Sequence, residues 1–286
     1  MPARTIDSLH LDMIDVDNPI GAPVLCLHGM FGGSWVFENL LPLIAQRGYP
    51  AAALSFRNHP PNAPLASVGA TSVTDYAAEA SAAARALDRP IVIGHSMGGL
   101  IAMLLAGRNL ARAVVLVSPA PPRGITVLSP QLVRRMWRYL PAMLLSRAFL
   151  PTDADLDALV LNCVPEHRRA ALRARFVPDS GRAARQMAIG MFTVPARAIR
   201  APVFVVGAER DEFIPFRVAQ RVARNLDAPL YLAPRHGHFL FAEENWQETA
   251  TVILDWIDAL PRVIRDPGAE PRVRPAWAEA DTPVSE

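Results

Sequence analysis

The chain has 286 residues, 51% apolar and 20% charged, which excludes a disordered or collagen-like polypeptide and allows one large domain with a sizeable core. The net charge is only +2, so a nucleic-acid binder is not indicated, although all 29 basic residues are arginine and residues 120–195 hold 11 of them against five acids. No apolar run is long enough to span a bilayer and the first residues carry no signal-peptide apolar region, so a soluble, cytoplasmic protein is expected.

Residues 9–15 alternate loosely and predict an early strand. Short apolar runs at 22–27, 50–54, 90–93, 113–117, 202–206 and 229–233 are bounded by Gly and Pro, which favours buried strands. Helical patterns lie between and after them, at 35–46, 73–87, 97–108, 216–226 and 245–260. Strand alternating with helix predicts a doubly wound, mostly parallel α/β sheet, with ligands at the carboxyl ends of its strands. The alternation stops at 120–195, which reads as helical throughout, with candidates at 129–150, 154–162 and 166–176. The expected organisation is therefore a core made of 1–119 and 196–261, a helical insertion at 120–195, and a mobile, proline- and charge-rich tail at 262–286. Cys26 and Cys163 are too few and too far apart for a disulfide framework or a metal cluster and are expected as buried thiols.

The sharpest local signal is Gly94-His95-Ser96-Met97-Gly98, a G-x-S-x-G that directly follows an apolar strand and directly precedes a helix. A serine on such a strained turn projects its hydroxyl from the sheet, the glycines avoid a clash there, and the helix start favours developing negative charge. A serine hydroxyl needs a base. Of seven histidines, His236 and His238 follow a late strand, and His238 is preferred because glycine precedes it and Phe239 can pack its loop. An acid must hold the base; Asp211, just past the strand at 202–206, is preferred, with Glu209 as the alternative. The loop His28-Gly29-Met30-Phe31-Gly32-Gly33 can present a backbone N–H to an oxyanion, so the expected donors are Met30 and Met97, with Phe31 the alternative to Met30. His28 is expected to be structural, and His59 to lie on the surface.

These segments, Leu25 to Met30, Gly94 to Gly99, 207–215 and Gly237-His238-Phe239, resemble the α/β-hydrolase fold superfamily, specifically its serine esterases, lipases and lysophospholipase-like members with a helical lid, over about residues 20–260. The resemblance implies a serine hydrolase that cleaves carboxylic esters through an acyl-enzyme with Ser96, His238 and Asp211 as a triad. The same triad also serves thioesterases, acyltransferases, carbon–carbon hydrolases and cofactor-free perhydrolases, which stay open. It implies a lid at 120–195, no metal, no cofactor and a small acyl substrate as partner. Phe31, Trp137 and Met143 are the expected substrate contacts. Met136, Trp137, Leu140, Met143, Leu144 and Phe149 would form an apolar side of the first lid helix, read as its packing face, and the resemblance implies that such a face can also line an acyl pocket. Contact with a membrane surface through that Arg- and Trp-bearing helix is the lesser reading, and the lid arginines would then favour acidic substrates or anionic lipid. The chain departs from its relatives at 54–64, where their D-x-R-G-x-G-x-S-like glycines are replaced by prolines.

Overall fold

A computed structural model describes residues 3–6, 9–127 and 129–261; the expected tail at 262–286 lies outside the described residues. Eight strands form one sheet: β1 (Ala3–Ile6), β2 (Leu9–Ile14), β3 (Val24–Leu27), β4 (Ala51–Leu54), β5 (Ile91–His95), β6 (Ala113–Val117), then β9 (Val203–Ala208) and β10 (Leu230–Ala233), with β7 (Ala148–Phe149) and β8 (Asp179–Ser180) forming a separate two-residue ladder between them. The order across the sheet is β1-β2-β4-β3-β5-β6-β9-β10. The two pairings made by β2 are antiparallel and the rest of the sheet is parallel.

Strand alternation divides the core into two layers. In β3, Val24 and Cys26 face the layer that holds the helices Leu40–Gln46 and Trp246–Asp258, while Leu25 and Leu27 face the layer that holds Val73–Ala86, Met97–Gly107 and Phe216–Leu226. The same division runs through β5 and β6, whose residues are all buried. Burial on both faces explains why these strands are continuous apolar runs in the sequence. Ser72 caps the helix Val73–Ala86 through a reciprocal capping box with Asp75.

The chain leaves β3 to form β4 on one side and returns to form β5 on the other. That reversal opens a crevice at the carboxyl ends of β3 and β5. The loop after β3 and the turn after β5 are therefore brought together by topology.

Residues between β6 and β9 form an insertion, but it is not helical throughout. The expected helix at 129–150 is broken into Pro130–Met136, a 3₁₀ turn Trp137–Tyr139 and Leu140–Leu144, with Pro141 at the start of the last piece, and it ends in β7. β7 pairs antiparallel with β8, placing Phe149 opposite Asp179. Sequence periodicity missed β7 and β8, because two-residue strands carry no pattern, while the helix Gly181–Ala188 falls in the stretch read as helical without being one of its named candidates. Cys26 is buried, whereas Cys163 is only partly so; both are free thiols. Among the described residues no helix is long and apolar enough to cross a membrane.

Candidate active site

Ser96 sits between β5 and the helix Met97–Gly107 with φ 54° and ψ −118°, a backbone conformation that non-glycine residues seldom adopt. Close packing holds it there. A side chain on Gly98 would run into the Leu27 carbonyl, and one on Gly94 into the Gly98 carbonyl. The Ser96 N–H donates to the Val117 carbonyl at 3.0 Å, and the Ser96 carbonyl accepts from Ala120 N–H at 2.9 Å, so the turn is tied to β6 and to the start of the insertion.

His238 lies on the loop after β10. Its Nδ1 faces Oδ2 of Asp211 at 2.8 Å, and both residues are buried. Oδ1 of Asp211 accepts from the N–H groups of Phe213 and Ile214 at 2.9 and 2.7 Å, which fixes the carboxylate in the turn after β9. A carboxylate at Nδ1 makes that nitrogen the donor and leaves Nε2 as the acceptor. Glu209 is turned elsewhere and accepts the Arg235 N–H at 2.7 Å. His236 is also elsewhere, with its Nδ1 3.0 Å from Glu243. The structure thus pairs the two residues preferred from sequence and separates the two alternatives from them.

The loop after β3 lies against Ser96: a Cβ built on Gly29 would come 2.8 Å from the Ser96 Cβ and 3.3 Å from its Oγ. His28 shapes this loop. Its Nδ1–H donates to the Gly29 carbonyl at 2.7 Å and its Nε2 accepts the Phe56 N–H at 3.2 Å, an arrangement that requires the neutral ring. Burial lowers its pKa to about 3, with the charge on His59 adding to the effect. The Phe31 N–H is committed to Asp179 at 2.9 Å, whereas the neighbouring Met30 N–H has no acceptor among the described residues. Met97 opens its helix, so its N–H has no intrahelical acceptor.

A cavity of about 200 Å³ brings most of these residues together. Ser96 and His238 line it with Met30 and with all three expected substrate contacts, Phe31, Trp137 and Met143. Leu140, Phe149 and Phe176 add to an apolar wall, and among the described residues no Asp, Glu or Arg side chain lines it. The expected packing face of the first insertion helix is split. Met143 and Phe149 are buried, but Trp137, Leu140 and Leu144 are exposed, because the broken helix turns them to the mouth of the cavity and to solvent.

Three residues were unread or misread. His95 donates from Nε2 to the His238 carbonyl at 2.8 Å, linking the turn that carries Ser96 to the loop that carries His238. Burial lowers the His95 pKa to about 3, so this ring is neutral. Its place beside Ser96 was the only available signal. His59, expected on the surface, is fully buried instead. Its Nε2 meets Asp179 at 3.2 Å and its Nδ1 meets the Arg57 carbonyl at 2.8 Å. Asp179, also fully buried, has no motif around it, and nothing in local sequence points to it. Removing one partner of such a buried pair generally costs roughly 3–5 kcal/mol.

A model described as the alpha/beta hydrolase family matches residues 24–252. Among solved structures, a soluble variant of monoglyceride lipase from Saccharomyces cerevisiae, in complex with a substrate analogue, matches with a TM-score of 0.71 at 17% identity, covering 90% of this chain and 94% of that one. Monoacylglycerol lipase from Paleococcus ferrophilus matches with a TM-score of 0.65 at 20% identity, covering 87% and 98%. A thioesterase domain from the curacin biosynthetic pathway matches with a TM-score of 0.63 at 17% identity, covering 88% and 98%. At these identities the likeness is one of fold. No curated protein matches the chain in sequence.

Proposed function

Because the chain belongs to the alpha/beta hydrolase family, we propose that it is a serine hydrolase that cleaves carboxylic esters with an apolar acyl group. One observation carries this reading: Ser96 and His238 line the same apolar cavity, and His238 is tied through Nδ1 to the buried Asp211 at 2.8 Å. In the proposed reaction the Ser96 Oγ attacks the ester carbonyl and His238 Nε2 takes its proton. Asp211 holds the tautomer and stabilises the imidazolium. The oxyanion is held by the N–H groups of Met30 and Met97. Collapse breaks the bond to the alkoxy group, which leaves as the alcohol with the proton from His238. Water, activated by the same ring, then releases the acid and restores Ser96.

The apolar lining supports a neutral acyl chain over an acidic one, since the arginines of the insertion lie outside the cavity. We read 120–195 as the lid that sets acyl preference, because it supplies Trp137, Leu140, Met143, Phe149 and Phe176 to the wall. The test is a rate profile across nitrophenyl esters from acetate to laurate, with matched thioesters and a hemisuccinate. Specificity constants should rise with acyl length before levelling off, and the hemisuccinate should be turned over poorly. Faster turnover of thioesters would move the reading to a thioesterase, a name that one structural neighbour carries. Turnover of none, with no fluorophosphonate adduct on Ser96, would sink it.

A lipid surface as the source of substrate is supported by a separate observation. Val133, Trp137, Leu140 and Leu144 are all exposed at helical spacing, and the first three also line the cavity. Arg134 and Arg138 are exposed beside them. Apolar side chains flanked by arginine at the cavity mouth suit an anionic membrane surface, each cation contributing about 1 kcal/mol there at low salt. Co-sedimentation is expected with phosphatidylglycerol vesicles, not with phosphatidylcholine vesicles, and should weaken as salt is added or in Trp137→Ser. Equal indifference to both vesicle types at low salt would remove this part of the reading.

A further inference from the structure

We propose that Asp179, held by His59 and Tyr76, is a positioning residue that fixes the Gly29–Phe31 loop and leaves the Met30 N–H as the one offered to the oxyanion. The inference rests on the reading of Ser96 as nucleophile given above.

Asp179 is fully buried and its carboxylate is saturated. Oδ2 accepts from the Phe31 N–H at 2.9 Å and meets His59 Nε2 at 3.2 Å; Oδ1 accepts from the Tyr76 hydroxyl at 2.6 Å and from the Ser180 N–H at 2.6 Å. Four donors satisfy this buried carboxylate, which fixes its orientation. One of them belongs to the loop packed against Ser96. That loop is gripped from both sides, because the Phe31 carbonyl also accepts the Val177 N–H at 3.0 Å. Phe31 has φ 66°, a left-handed conformation that a non-glycine residue keeps only where its surroundings impose it. Its ring meets Phe149 edge-on at 5.2 Å, and Phe149 is the residue opposite Asp179 in the β7–β8 ladder. The ladder of the insertion therefore clamps both the backbone and the ring of Phe31.

The charge state follows from the hydrogen bonds. Both ring nitrogens of His59 face acceptors, the Arg57 carbonyl and the Asp179 carboxylate, so both carry protons and the ring is an imidazolium. Burial opposes that charge, but Asp179 and the nearby carbonyls outweigh it and raise the His59 pKa. Burial likewise opposes the carboxylate, and His59, Tyr76 and the Phe31 N–H hold its pKa well below the usual range. The other groups facing the pair are the neutral His28, its ring 4.8 Å from that of His59, and Tyr76, with the Glu79–Arg57 ion pair beyond. His59 comes from the proline-rich segment 54–64 and supplies the cation for this pair.

The sign of the pH effect is fixed by this arrangement. A histidine with a raised pKa keeps its charge at neutral pH and loses it as pH rises, so the clamp should loosen on the alkaline side and kcat should fall there. The experiment combines kcat and KM on nitrophenyl butyrate for the wild type, Asp179→Asn and Tyr76→Phe with thermal melts, NMR of isotope-labelled histidine, and hydrogen exchange at the Phe31 amide. We expect Asp179→Asn to lower kcat about 10- to 100-fold with KM nearly unchanged, the signature of a displaced oxyanion donor. Tyr76→Phe should show a smaller loss of the same kind. In the wild type His59 should show two ring N–H protons at mildly alkaline pH, kcat should decline as they are lost, and the Phe31 amide should exchange slowly. A purely structural Asp179 would lower the melting temperature and leave kcat of the folded protein unchanged, and that result overturns the proposal. A neutral His59 at neutral pH overturns it as well. If Asp179→Asn does not fold, the decision passes to the wild-type titration: unchanged kcat while His59 loses its proton overturns the proposal. If the wild type turns over no ester and takes no fluorophosphonate, the reading of Ser96 as nucleophile fails by itself, while histidine NMR and Phe31 exchange still report on the clamp.

Discussion

Replacing Ser96 by alanine is expected to abolish fluorophosphonate labelling and to lower kcat on nitrophenyl esters by a factor on the order of 10⁴–10⁶, with the fold intact. The size of the effect follows from covalent chemistry. Without Oγ there is no acyl-enzyme, and only binding and the oxyanion donors are left to accelerate direct attack by water. The variant should lose little stability. The Ser96 hydrogen bonds to Val117 and Ala120 run through backbone atoms, which alanine keeps. What alanine inherits is the backbone at φ 54°, a conformation imposed by the packing of Gly94 and Gly98 against neighbouring carbonyls. Mass spectrometry of the labelled protein together with a thermal melt would check both halves. Labelling that persists on another residue, or ester turnover equal to that of the wild type, would remove Ser96 from the reaction.

The turn at Ser96 could be read from sequence because its backbone demands are written in its neighbours. The turn needs small residues two positions away on either side, so the steric requirement is written as Gly94 and Gly98 around the serine. His238 and Asp211 were legible for a different reason. In a doubly wound sheet, chain order after the strands decides which loops reach the crevice, and each residue directly follows a recognisable apolar strand. The sheet itself was legible because β3, β5 and β6 are buried on both faces and appear as unbroken apolar runs.

What could not be read depends on contacts between distant segments. His59 looks like a surface residue in a proline-rich loop, and Asp179 looks like one acid in an arginine-rich stretch. Only the fold brings together residues 120 positions apart in the chain. The broken insertion helix was misread because apolar spacing from Met136 to Phe149 continues across Pro141, even though the backbone does not. That break turns Trp137 and Leu140 to the cavity mouth, exposed rather than packed within the insertion.

Changing Asp211 to asparagine should lower kcat by roughly 10⁴ while leaving the melting temperature close to that of the wild type. Asp211 has two tasks that the substitution separates. Oδ1 accepts the N–H groups of Phe213 and Ile214, and an asparagine carbonyl can accept both, so the turn after β9 survives. Oδ2 faces His238 Nδ1 at 2.8 Å, and there the asparagine presents an NH₂ donor. A donor at that position favours the tautomer with its proton on Nε2, the nitrogen that the proposed reaction needs empty to take the Ser96 proton. The ring stays in place with its proton on the wrong side. Substrate binding should therefore be spared, and the loss should fall on kcat at neutral pH. Histidine NMR of the variant should show the proton moved from Nδ1 to Nε2. If instead kcat falls less than tenfold and the tautomer is unchanged, Asp211 anchors its loop without orienting the base, and Glu209→Gln becomes the variant to compare.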